Sequence, residues 1–304
     1  MREGFKAAIL ERAAHDPNFH ILTGDHGYAL FDDFKTEFPN RLHNVGVAEA
    51  NMVGLAAGMA RNGLRPLIYG LSAFIPNRVF EYIKLQIALD NLPVTIVGDG
   101  AGLVYSTLGT SHQTLEDLAI IGSLPGIQSV SPASAREMEV AVRWAGNLDG
   151  PSYIRMGKSG GIYDGSSSRD VPWPHLVRKA KGSSNSRALV AHGSMVSIAL
   201  AVANSGKEVL DVWSCPTVSE VPQEFIDELL SRYESIAVIE EHGEHGGLGS
   251  RILHKMANSG KSLHLIAAKQ SPTRRIGSWE WTLDKHGLSQ ERILERLYAS
   301  GFFL

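Results

Sequence analysis

The stretch Asn44-Val45-Gly46-Val47-Ala48-Glu49-Ala50-Asn51-Met52 places a single carboxylate in an otherwise uncharged run. It leads into Val53-Gly54-Leu55-Ala56-Ala57-Gly58-Met59-Ala60, whose small residues recur at helical spacing, so a helix is predicted over 47–62, ending near Gly63. A lone acid at the mouth of a tightly packed helix is expected to be desolvated, which raises its proton affinity. Such a group suits the activation of a cofactor nitrogen. The plainer reading is a helix N-terminal carboxylate meeting the helix dipole.

Outward from this stretch, strand and helix patterns alternate. Strands are predicted at Phe19–Leu22, Pro66–Tyr69, Val94–Val97, Ile127–Val130 and Tyr153–Arg155, and helices over 4–15, 76–90, 114–123 and 134–148. Residues 157–186 are rich in Gly, Ser and Pro, a linker composition. The alternation then resumes, with strands at Ala188–Ala191, Glu208–Val212, Ile236–Ile239 and Leu263–Ala267, and helices over 194–205, 222–232, 247–258 and 289–299. Such alternation produces mostly parallel sheets. The predicted fold is therefore α/β, with two domains, each a mostly parallel sheet flanked by helices. The boundaries fall at 1–158, a linker 159–186, and 187–304. Ligands of such sheets gather at the carboxyl ends of strands, where Asp25 and the Gly98–His112 loop fall.

Composition excludes several classes. The chain of 304 residues is 43% hydrophobic and 20% charged, a globular balance. A net charge of -3 without a basic stripe argues against nucleic acid as a partner. No apolar run approaches the roughly 20 residues of a membrane span. One cysteine, Cys215, fits a reducing compartment, and the N-terminus lacks a signal-peptide core, so a cytoplasmic location is expected.

Several motifs in a fixed order carry a resemblance. Gly46-Val47-Ala48-Glu49-Ala50-Asn51-Met52 is followed by Gly109-Thr110-Ser111-His112-Gln113 with Glu116-Asp117, then by Pro151-Ser152-Tyr153-Ile154-Arg155. Thr23-Gly24-Asp25, Phe38-Pro39-Asn40-Arg41 and Ala191-His192-Gly193-Ser194 lie in matching places. Over nearly its whole length the chain resembles the C-terminal half of a transketolase, and more narrowly the C-terminal subunit of split bacterial transketolases. The resemblance implies a pyrimidine-binding domain followed by a transketolase C-terminal domain. It also implies a thiamine diphosphate enzyme, a transferase that moves a two-carbon ketol unit from an anionic, phosphorylated or sulfonated ketose to an aldehyde. The diphosphate and Mg²⁺ would be held mainly by a separate N-terminal transketolase subunit, in an α₂β₂ assembly. Gly98-Asp99-Gly100 has no Asn some 25–30 residues on to complete the family's metal signature, so it reads as a strand-end turn. No metal ligand is assigned to this chain.

The resemblance also assigns site residues. Glu49 would hydrogen-bond the pyrimidine ring nitrogen and so promote loss of the thiazolium C2 proton. Asp25 would approach the cofactor, or else form an Asx turn with His26-Gly27. Phe74 would stack on the aminopyrimidine, or else pack in the core. His112 would bond a substrate hydroxyl or carbonyl, or shuttle a proton, and its alternative is a surface histidine. Arg155 would grip the anionic end of the substrate, with a strand-end ion pair as its alternative. Arg78 is its companion, or a structural salt bridge. Glu240-Glu241-His242-Gly243-Glu244-His245 offers metal-ligand types, but it stands where the family has an acidic turn.

The departures bear on substrate. Longer transketolases carry an acid four positions before the histidine, where this chain has Leu108; Thr110 and Ser111 replace a proline and a threonine. An apolar side chain cannot bond a hydroxyl, so discrimination at the donor C2 carbon is expected to weaken or shift. The alternatives to a transketolase subunit are the β subunit of a thiamine-dependent 2-oxo acid dehydrogenase or decarboxylase, and a non-catalytic subunit that retains the fold.

Overall fold

A computed structural model of the chain describes residues 1–158, 177–180, 182, 186–205, 209–269 and 275–303. In the first domain six strands form an entirely parallel sheet: β1 (Phe19–Thr23), β2 (Leu42–Asn44), β3 (Arg65–Leu71), β4 (Thr95–Asp99), β5 (Gln128–Val130) and β6 (Ser152–Met156). Their order across the sheet is β2-β1-β3-β4-β6-β5. The helices are α1 (Arg2–His15), α2 (Asp32–Glu37), α3 (Glu49–Arg61), α4 (Phe80–Tyr82), α5 (Asp117–Gly122) and α6 (Ala135–Gly146). β4 and β6 are buried along their whole length, as central strands covered on both faces must be. α3 turns Met52, Val53, Ala56, Ala57 and Ala60 into the core. α6 starts at an N-cap, where Ser134 Oγ accepts from the Glu137 amide at 3.1 Å, and the Glu137 carboxylate reaches back to accept from the Ala133 amide at 2.7 Å.

The second sheet runs β11-β10-β8-β9-β7, built from β7 (Val177–Ala180), β8 (Arg187–Ala191), β9 (Asp211–Ser214), β10 (Ser235–Ile239) and β11 (Ser262–Ile266). All its pairings are parallel except that of β7 with β9. Its helices are α7 (Met195–Ala203), α8 (Gln223–Arg232), α9 (Leu248–Met256), α10 (Trp279–Lys285) and α11 (Gln290–Ala299). The two-domain α/β fold is as expected from the sequence. Among the described residues no helix is long and apolar enough to cross a membrane.

Local differences have identifiable causes. Within the expected linker 159–186, Val177–Ala180 forms an antiparallel edge strand, while 159–176, 181 and 183–185 lie outside the described residues. Residue 208, the expected start of a strand, is also outside them, and that strand begins at Asp211. The helix expected over 76–90 is a 3₁₀ turn (Asn77–Val79), then α4, then a π-helical segment (Ile83–Ala88). Both tighter and wider turns keep apolar residues on one face, so periodicity alone does not separate them. The helix expected from 114 starts only at Asp117, because Thr114 forms an antiparallel bridge to Gly102.

One apolar core crosses the domain boundary. It runs from Leu22 and Val53 through Leu118, Ile121 and Ile127 to Trp213, Val218, Phe225 and Ile252. Cys215 is buried in it; its amide donates to the Ala191 carbonyl at 2.8 Å and its thiol to the Thr217 carbonyl at 3.2 Å. Burial pushes this thiol's pKa well above its ordinary value.

Polar groups lock the same boundary. Arg155 Nε donates to Asp117 Oδ2 at 2.8 Å, and its Nη2 donates to the Glu241 carbonyl at 2.8 Å. Tyr153 donates to the same Asp117 oxygen at 2.9 Å. The Glu241 carboxylate accepts from the Leu103 amide and Trp279 Nε1, each at 2.8 Å, and from the Ser194 hydroxyl. Burial raises the Asp117 pKa, but Arg155, His242 and Tyr153 outweigh it and hold the carboxyl below the usual range.

Two outcomes follow from this lock. Replacing Arg155 by Met strands the Asp117 charge in the interior and is expected to cost about 3–5 kcal/mol in chemical denaturation, with part recovered in the Arg155→Met/Asp117→Leu pair. Because the native Asp117 pKa is depressed, its stabilisation is complete above the ordinary carboxylate range and is lost as pH falls through the native value. The wild-type melting temperature, followed by calorimetry, is therefore expected to fall steeply below about pH 4.

Candidate active site

The carboxyl ends of β1, β2, β3 and β4 lead to Asp25, Glu49, Phe74 with Arg78, and His112 in turn. Four of them meet. Arg78 Nη1 lies 3.1 Å from Glu49 Oε1. The Arg78 guanidinium carbon sits 4.1 Å from the centre of the Phe74 ring. Phe74 in turn meets His112 edge to face, with ring centres 5.4 Å apart. Residues from α3, from the segment after β3 and from the loop after β4 thus form one contiguous cluster.

Local structure explains the placement. Glu49 is the first residue of α3. Phe74 leaves β3 in a turn in which its amide bonds the Leu71 carbonyl at 2.9 Å, and Arg78 follows one turn later, its amide bonded to the Phe74 carbonyl at 2.9 Å. His112 closes a 3₁₀ turn (Thr110–His112), and its Nδ1 meets Ser111 Oγ at 2.9 Å. Asn77 Nδ2 donates to Glu116 Oε1 at 2.8 Å, which fastens the Phe74 segment to the His112 segment.

Glu49 is not the solitary acid its sequence surroundings suggest. Its side chain is 12% exposed, but Arg78, 29 residues away, supplies the cation. The Arg78 side chain is 52% exposed, so this pair is open to water.

Asp25 stands apart from the cluster. Its partner is Asn44, whose Nδ2 donates to Asp25 Oδ1 at 2.6 Å, while Asn44 Oδ1 accepts from the Asp25 and Gly46 amides at 3.1 and 3.0 Å. This braces the loop that precedes Glu49, and it is a contact across two strand ends in place of the alternative Asx turn with His26-Gly27. Gly24 is required there, since a Cβ would lie 2.7 Å from the Gly46 carbonyl oxygen.

Arg155 corrects its expectation. It is 1% exposed with its guanidinium bonded to Asp117 and Glu241, so it cannot reach an anion in this arrangement. It does stand at a strand end, but its side chain points into the domain boundary. Glu240, in the acidic turn, receives the Leu248 and Gly249 amides at 2.7 and 3.1 Å and caps α9. Leu108 is exposed on the loop before His112.

A further group beside the cluster has no counterpart among the sequence-derived candidates. His26 Nε2 lies 2.8 Å from Asp99 Oδ2, and Tyr105 donates to the same oxygen at 2.9 Å. The only signal for it in the sequence is the position of His26 and Asp99 at two strand ends.

Comparison with known proteins assigns both domains to one family. Residues 1–161 match the family model for the transketolase pyrimidine binding domain, and 179–292 that for the transketolase C-terminal domain. The chain belongs to the transketolase family. It is 26% identical over 307 residues to an apulose-4-phosphate transketolase subunit of Phocaeicola vulgatus, covering 96% of each chain. To the 1-deoxy-D-xylulose-5-phosphate synthase of Mycobacteroides abscessus it is 32% identical over 312 residues; 96% of this chain aligns, and it spans only 45% of that longer protein. A solved structure described as a split gene transketolase, inactive beta4 tetramer, superposes with a TM-score of 0.84 at 27% identity, covering 98% and 96% of the two chains.

A contrast between the two arginines tests this geometry. Arg78→Ala removes a water-exposed pair and is expected to change the unfolding free energy by no more than about 1 kcal/mol. Denaturant titration should therefore place it near wild type, far from Arg155→Met.

Proposed function

We propose that this chain is the C-terminal subunit of a two-chain transketolase. In this reading it transfers a two-carbon ketol unit from an anionic ketose to an aldehyde with thiamine diphosphate, in the cytoplasm. The observation that carries the reading is the cluster of Glu49, Arg78, Phe74 and His112. It presents a hydrogen-bonding carboxylate beside an aromatic face. A flat, hydrogen-bonding cation, the Arg78 guanidinium, already lies between them, so the two side chains suit a planar nitrogenous ring.

In the complex, Glu49 and Phe74 would hold the aminopyrimidine, with Asp25 bracing the loop that precedes Glu49. Thiamine diphosphate would supply a carbanion-like nucleophile and an electron sink for the cleaved carbon–carbon bond. Glu49 holds a proton at the ring nitrogen. Arg78 leaves the face of Phe74 and becomes the cation available to the anionic end of a substrate, a task that Arg155 is too buried to perform. His112, edge-on to Phe74, faces the reacting carbonyl and its hydroxyls.

The diphosphate and Mg²⁺ are assigned mainly to an N-terminal partner chain in an α₂β₂ assembly. Asp99 supports that division, because its carboxylate is committed to His26 and Tyr105. The apulose-4-phosphate relative, itself a subunit by name and matched end to end, supports a separate partner. So do the exposed apolar side chains along α3 and its neighbouring π-helical segment, Val47 just before and Leu55 within the first, Leu85 within and Leu89 just after the second.

The test uses the complex reconstituted with the N-terminal chain, thiamine diphosphate and Mg²⁺. Glu49→Gln is expected to slow deuterium exchange at the thiazolium C2 by about 100-fold or more while calorimetry still detects cofactor binding. Undiminished exchange would overturn the reading. Donor cleavage is expected to release an aldehyde; release of carbon dioxide would point instead to 2-oxo acid chemistry.

A further inference from the structure

The group formed by His26, Asp99 and Tyr105 has no part in the transfer described so far, yet it is closely constrained. The Asp99 side chain is only 8% exposed and accepts from both partners through one oxygen. Burial pushes its pKa up, but the two donors outweigh this and hold the carboxyl below its usual range. The His26 ring stacks on Tyr69, with centres 5.3 Å apart and planes 18° from parallel.

The backbone around the histidine is also constrained. Asp25 and Ala29 have left-handed φ values of 54° and 56°, and Gly27 between them has 91°. A left-handed φ is disfavoured for a non-glycine residue, and such strain collects at functional sites. The Thr23 hydroxyl, donating to the His26 carbonyl at 2.6 Å, and the Asp25–Asn44 contact hold this loop in place.

The position is informative. β3 lies between β1, which leads to His26, and β4, which ends at Asp99, so the His26–Asp99 bond spans the end of β3. On one side the loop of Asp25, Asn44 and Gly46 runs on to Glu49. On the other the Ser72 amide bonds the Asp99 carbonyl at 2.8 Å, two residues before Phe74. The histidine therefore sits between the stems of the two arms that carry the candidate active site. Donation from Nε2 to Asp99 places the lone pair of the neutral ring on Nδ1. That atom has no hydrogen-bond partner among the described residues and is not buried. The ring is 23% exposed, so a ligand can reach it.

We propose that His26 is a specificity-determining residue of the transfer reaction, its Nδ1 accepting a hydrogen bond from a hydroxyl of a polyol substrate, with Asp99 and Tyr105 as positioning residues that fix the ring. The proposal rests on the transketolase reading of the adjoining cluster. It selects hydroxylated sugars over analogues that lack the hydroxyl, because a polar site left without its partner penalises the wrong ligand.

The experiment uses the reconstituted complex, with ribose 5-phosphate and 2-deoxyribose 5-phosphate as alternative acceptors. His26→Phe keeps a flat ring for Tyr69 but has no lone pair, and is expected to reduce the preference for the hydroxylated acceptor in kcat/KM by at least about tenfold. Asp99→Leu removes the acceptor that fixes the ring and its Nε2 proton and is expected to reproduce the loss. A second measurement needs neither a variant nor turnover: in the wild-type complex the His26 Nδ1 nitrogen resonance is expected to shift on titration with ribose 5-phosphate and not with the deoxy sugar. An unshifted resonance, or an unchanged preference in folded His26→Phe, overturns the proposal. Failure of the wild-type complex to exchange the thiazolium C2 proton would instead strike the cofactor reading, so the two failures are distinct.

Discussion

A guanidinium withdrawn from water must find its partners inside the protein, and Arg155 does so by reaching both domains at once. It ties the end of β6 to the first turn of α5 on one side and to the turn after β10 on the other. The loop after β4 is held within the same lock, since the Leu103 amide bonds the Glu241 carboxylate. His112 stands on that loop. The distance between His112 and Phe74 is thus set partly by charges buried at the domain boundary.

The two arginines near the first domain play opposite parts. Arg155 is fixed, because moving it would strand Asp117. Arg78 is half in water and its contacts with Glu49 and Phe74 are replaceable, since solvent compensates an exposed ion pair at little cost. A rigid boundary with one movable cation over the acid and the aromatic face is a suitable frame for a site completed by another chain.

Much of this is legible in the sequence, and the gaps have physical causes. Runs such as Ile236–Ile239, unbroken in apolar character, and Val94–Val97, interrupted only by Thr95, announce buried parallel strands. Leu42-His43-Asn44 gives no such signal because it is a short edge strand, only partly buried. Glu49, Phe74, Arg78 and His112 are identifiable from motif order, but the contacts of Glu49 with Arg78 and of Phe74 with His112 are not, since partners 29 or more residues apart leave no local trace. The same holds for His26 and Asp99, 73 positions apart. Arg155 defeats the expectation of a substrate-gripping cation because alternation says nothing of which face meets solvent when every residue of β6 is buried. Residue type and strand end are readable from the sequence; the direction of the side chain is not recoverable from spacing.

The single cysteine has a consequence of its own. Cys215 lies in apolar packing shared by both sheets, and its thiol resists ionisation there. A thiol reagent added to the native protein finds no thiolate to attack. Reaction becomes possible only when the two lobes part or the second sheet loosens, so the pace of alkylation serves as an intrinsic clock for how often the molecule breathes at its waist.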